Sequence, residues 1–97
     1  MGVRFARRYL DICRDLSNAL QTIDGFYECV NISSENWAAL GERERRQFIE
    51  TLSDDVFYAL GAVPVLRIGQ GWVKYNKDRH VITVDDGVGC THIVNLQ

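Results

Sequence analysis

The feature that most constrains this chain is a change of hydrophobic period at Gly61. Before it, apolar residues recur at spacings of three and four, as along one stripe of a helix; after it they alternate, as in half-buried strands. The segments 63–68, 72–75, 80–84 and 91–96 read as short strands. The stretches between them, Gly69-Gln70-Gly71, 76–79 and 85–89, carry turn chemistry. Connections this short force neighbouring strands to run antiparallel, hence a meander. Pro64 has no amide hydrogen to give a ladder, so it belongs at a strand start or on a sheet edge.

Upstream, Phe5, Tyr9, Ile12, Cys13, Leu16, Leu20 and Ile23 predict a helix over 3–23, with Arg4, Arg7, Arg8, Asp11, Arg14 and Asp15 on its other side. Arg7 and Asp11 are spaced for an i,i+4 pair, and Asp24-Gly25 is a good stop. Residues 26–32 alternate and predict a short strand. Ser33 or Ser34 caps a helix containing Trp37 and Leu40, which Gly41 interrupts. Phe48, Ile49, Leu52, Val56 and Leu60 then keep helical spacing. Because Ser53-Asp54-Asp55 can recap a new helix, 42–60 forms either one helix or two.

We therefore expect one compact α+β domain over 1–97. It has an N-terminal helix, a short strand, one to three further helices, and a C-terminal antiparallel meander of three to four strands with the helices on one sheet face. Val65, Val73, Ile82, Val84 and Val94 are the expected partners of the helices. With 46% hydrophobic and 25% charged residues, wholesale disorder is excluded. No apolar run is long enough for a bilayer, and Asp11, Arg14 and Asp15 interrupt any secretory leader, so we expect no membrane and a cytoplasmic setting. Three widely spaced cysteines, Cys13, Cys29 and Cys90, fit free and mostly buried thiols better than a disulfide framework.

Candidate chemistry lies mainly after Gly61. Cys90 and His92 share a strand face, and His80, Asp85 or Cys29 would have to complete a metal shell or a thiol–imidazole site. A single Cys-x-His lacks the close ligand pairs of a zinc site, and a nucleophilic thiol needs a lowered pKa and an oxyanion site. Asp85-Asp86-Gly87 lacks the remaining ligands of a calcium loop. Gly69-Gln70-Gly71 lacks the lysine and helix of a phosphate loop. We assign no catalytic residue, no metal ligand and no cofactor.

Charge is more informative. Trp72 and Lys74 share one strand face, and with Lys77, Arg79 and His80 they form a candidate binding surface for an acidic partner. The plainer expectation, which we favour, is that Trp72 packs under a helix while the charges solvate a hairpin. A net charge of −2 argues against a dedicated nucleic-acid binder. The last strand, at 92–96, is short and weakly charged, so it either lies centrally or pairs with a second subunit.

The leading expectation is a small non-enzymatic cytoplasmic interaction or ligand-binding domain. It would act as an accessory homodimer whose partners are itself and an unidentified protein or small ligand. Two alternatives remain. One is a small enzyme or metal site on Cys90, His92, His80 and Asp85. The other is a weak single-strand nucleic-acid binder using Arg4, Arg7 and Arg8 with Lys74, Lys77 and Arg79.

Overall fold

The helical stripe forms a helix where the backbone is free to do so. The computed structural model describes residues 3–27 and 32–97, and its first helix, α1, spans Tyr9–Leu20. Residues 3–8 are an irregular arm instead of the expected first turns. The Ala6 and Arg7 amides donate to the Leu96 carbonyl at 2.8 and 3.0 Å, so they are not available to a helix. Three arginines at a helix start would also oppose its macrodipole, and the Arg8 cap position has no side-chain cap bond. Arg7 reaches Asp15 at 2.7 Å rather than the expected Asp11.

Beyond α1, Gly25 takes a left-handed φ of 73°, as the stop at Asp24-Gly25 requires. Phe26 and Tyr27 lie in a short 3-10 turn. The rest of the strand expected at 26–32 lies largely outside the described residues. Ser33 caps α2, Ser34–Ala39, by accepting from the Asn36 amide at 3.2 Å. Next, α3 runs unbroken over Glu42–Leu60, with the Gly41 amide donating to the Glu44 carboxylate at its start. Ser53 is therefore no cap. It is buried mid-helix, where its hydroxyl bonds the Ile49 carbonyl at 2.8 Å and meets Ser17 Oγ at 2.6 Å.

Four strands follow: β1 Val65–Ile68, β2 Gly71–Asn76, β3 Val81–Asp85 and β4 Thr91–Asn95. They form an antiparallel meander in the order β1-β2-β3-β4, so β1 and β4 are the edges. Pro64 precedes an edge strand, as its missing amide demands.

Alternation divides the sheet into two faces. Val73, Ile82, Val84 and Val94 are essentially inaccessible and pack with Ile12, Leu16 and Leu20 of α1 and Leu52, Val56 and Leu60 of α3 in one hydrophobic core. Val65 is a correction. Its partner Lys74 is exposed and it is itself 43% exposed, so it faces away from the helices. Ile68 takes its place in the core and Leu66 packs against it, because in β1 the even positions turn inward.

Candidate interaction face

The face opposite the helices holds the candidate site. Register aligns Arg67, Trp72, Asp85 and Thr91 in one row across the four strands, and Val65, Lys74, Thr83 and Ile93 in the next. Trp72 is 42% exposed and Ile93 63% exposed, which overturns the expectation that Trp72 packs under a helix. The guanidinium of Arg67 lies 5.5 Å from the centre of the Trp72 ring, a cation–π distance that orders both side chains. Beside them Pro64, Val65, Lys74, Lys77 and Thr83 line a shallow depression of about 470 Å³.

The rest of the predicted surface lies at the end of this face. Asn76 Oδ1 accepts from the amides of Asp78 and Arg79, both at 3.1 Å, closing the β2–β3 turn that presents Lys77 and Arg79. His80 sits in that turn with φ of 56°, and its half-buried ring leaves Nδ1 enclosed, with no hydrogen-bond partner among the described residues. The N-terminal arm comes to the same end. The Arg4 amide donates to the Tyr75 hydroxyl at 3.1 Å, and Arg7 donates to the Asn95 carbonyl at 3.1 Å. Arg4 and Arg8 are exposed there, whereas Arg7 is paired with Asp15.

The set Cys90, His92, His80 and Asp85 is not brought together. His80 and Asp85 are at opposite ends of β3, roughly 17 Å apart along the strand. Asp85 projects on the outer face beside Trp72, while His92 pairs with the inward-facing Val84. Cys90 precedes β4 and is exposed, and Cys13 is half-buried, so these two free thiols are less buried than expected. Cys29 lies outside the described residues. Among the described residues, no three His, Cys, Asp or Glu side chains are grouped to hold a metal ion.

The acid that matters in the β3–β4 turn is Asp86. It is buried, and its Oδ1 accepts from the Val88 and Cys90 amides at 2.9 and 3.1 Å. The Val88 bond chiefly holds the carboxyl below its ordinary value, against burial, with help from the Cys90 amide and nearby His92. A lowered folded pKa gives stability that is complete above the unfolded value of about 3.9 and is lost as pH falls through the folded one. Asp86→Ala should therefore melt below the parent at neutral pH. Thermal melts should show the gap narrowing below about pH 4, where the parent's carboxylate protonates.

Sequence reasoning missed a polar seam between α1 and α3. There Tyr9 donates to Asp54 at 2.8 Å and the Cys13 thiol points at the same oxygen at 3.6 Å, beside a groove of about 590 Å³. Burial first, then the Cys13 and Asp54 neighbours, push the Tyr9 phenol far up. Burial likewise raises the Cys13 thiol, the opposite of activation. The only available signal was the polar interruption of an apolar stripe at Ser17, Ser53 and Asp54. The second cluster, Phe26, Tyr27, Trp37 and Phe48, is held by stacking and by Arg45 over the Trp37 ring at 5.5 Å.

Compared with protein families, curated proteins and solved structures, the chain matches none. The described residues contain no helix long and apolar enough to cross a membrane.

Proposed function

We propose that this chain is a small non-enzymatic interaction domain that holds a protein partner on the open face of its sheet, acting in the cytoplasm as a homodimer. The observation that carries this reading is Trp72, a large aromatic left exposed on a strand whose other face is core, and ordered there by Arg67. Trp and Arg dominate binding hot spots, and a rim of Lys74, Thr83 and Asp85 suits one. Free thiols at Cys13 and Cys90 fit a reducing compartment.

A photo-crosslinker at Thr83, in living cells, should give a discrete protein adduct, and Trp72→Ala should abolish it while leaving the melting curve nearly unchanged. The same adduct from a crosslinker at Tyr58 on α3, insensitive to Trp72→Ala, would overturn the reading. A second reading is favoured by one observation: the arm arginines share an end of the sheet with Lys77 and Arg79. If a labelled single-stranded oligonucleotide binds, and Lys74→Ala reduces both its affinity and its salt dependence, the partner is nucleic acid instead.

A further inference from the structure

The backbone of β4 carries a free pairing edge. The Leu96 amide donates to the His80 carbonyl and the Asp86 amide to the Cys90 carbonyl, both at 3.0 Å. In an antiparallel ladder, residues that exchange bonds with the neighbour alternate with residues that turn both groups away. Cys90, His92, Val94 and the Leu96 amide therefore address β3, the Leu96 carbonyl being taken by the arm, and Thr91, Ile93 and Asn95 turn their amides and carbonyls outward. The contact from Arg7 to the Asn95 carbonyl agrees with this phase. Among the described residues, no other backbone bond engages these outward groups. Thr91, Ile93 and Asn95 are exposed, and β4 contains no charged residue, proline or glycine that would discourage pairing.

We infer that this edge is the homodimer interface, with β4 of a second copy added antiparallel about a two-fold axis at Ile93. Three features select a second copy. Centred on Ile93, the register sets Ile93 against Ile93 and Thr91 against Asn95 twice, so every outward amide meets an outward carbonyl. The Asn95 carbonyl has two lone pairs and accepts the new bond beside that from Arg7. The edge also differs in charge from end to end: Arg7, paired with Asp15, reaches the Asn95 carbonyl with exposed Arg8 next to it in the chain, whereas Asp85 stands opposite Thr91. Antiparallel addition sets the Arg7–Arg8 end of each copy toward the Asp85 end of the other, an attraction that salt screens over a Debye length of about 8 Å at physiological ionic strength.

The side chain of Ile93 packs beside its counterpart on the open face, and two four-stranded sheets become one of eight strands. The inference rests on the homodimer part of the proposed function. It leaves the Trp72 face, which lies normal to the edge, open to a partner.

Two short strands bury less than the ~1,600 Å² of a standard interface, so the dimer is concentration-dependent. Sedimentation velocity from low to high micromolar protein should show a monomer–dimer equilibrium that weakens with added salt. Ile93→Lys, which opposes two lysines across the axis at an exposed position, should raise the dissociation constant about tenfold or more, while Ile93→Val leaves it near the parent's. Amide hydrogen exchange provides a readout needing no variant. Ile93 and Thr91 should become protected as concentration rises, while His92 and Val94 are protected throughout. A strict monomer at high concentration would overturn the inference, as would a dimer in which the Ile93 amide stays unprotected and Ile93→Lys has no effect. A strict monomer also removes the homodimer part of the proposed function, whereas a dimer with an unprotected Ile93 amide removes only this interface; partner binding at the Trp72 face is judged separately, by the Thr83 crosslink.

Discussion

Truncating Ile82 to alanine is expected to destabilise the protein by about 2–5 kcal/mol, a large share of the ~5–15 kcal/mol typical of a domain. Ile82 is 0% exposed on the central strand β3, opposite Tyr75 of β2 and Val94 of β4, and part of the core shared with α1 and α3. Removing its branched chain leaves a cavity walled on two sides by paired strands, which cannot close in without breaking ladder bonds. Urea denaturation should show the midpoint falling with little change in slope. Thr83→Ala, one residue along on the open face, should cost under about 1 kcal/mol. Equal losses at the two positions would contradict the assignment of faces.

Gly71→Ala is the second large effect, and it has a different cause. Gly71 is buried at the start of β2, and a Cβ there would collide with the Asp85 backbone carbonyl while standing 3.0 Å from Ile23 Cγ1. The obstacle is main chain on the next strand, so no side-chain rotation relieves it. Either β2 and β3 separate or the turn before β2 shifts. Overpacking of this kind costs about 3 kcal/mol. The same denaturation experiment measures it, and a loss of under about 0.5 kcal/mol would mean that the strands do not approach as described.

Much of the architecture was legible because its signals are local. Gly61 marks the end of α3, Ser33 caps α2, and the turns after Ile68, Asn76 and Asp85 lie where glycine, asparagine and aspartate cluster. The start of α1 was not legible. The stripe continues through Phe5, but the amides of Ala6 and Arg7 bond a carbonyl at Leu96, at the other end of the sequence. No window of neighbouring residues contains that competitor. The continuity of α3 was open for a related reason. Ser53 looks like a cap locally, and only the half-buried Ser17 hydroxyl across the helix pair shows why a serine stands there.

The candidate site divides in the same way. Trp72 and Lys74 were paired on one face from alternation alone, and the structure sets the hairpin residues grouped with them, Lys77, Arg79 and His80, in the turn at its end. Arg67, Thr83 and Ile93 joined them only through cross-strand register. Cys90, His92, His80 and Asp85 look close in sequence terms, but His80 precedes β3 and Asp85 ends it, and the pleat turns His92 and Asp85 to opposite faces.

By itself, then, the change of period at Gly61 determined that helices come first and an antiparallel meander follows, because periodicity and turn chemistry are properties of adjacent residues. Which face of the meander the helices cover is a different kind of fact. Alternation is symmetric between faces, so it placed Trp72 opposite Val73 without saying which of them meets water. Packing of α1 and α3 against Val73, Ile82, Val84 and Val94 broke that symmetry and left Trp72 and Ile93 outside. That choice of face rests on long-range contact, which no window of adjacent residues contains.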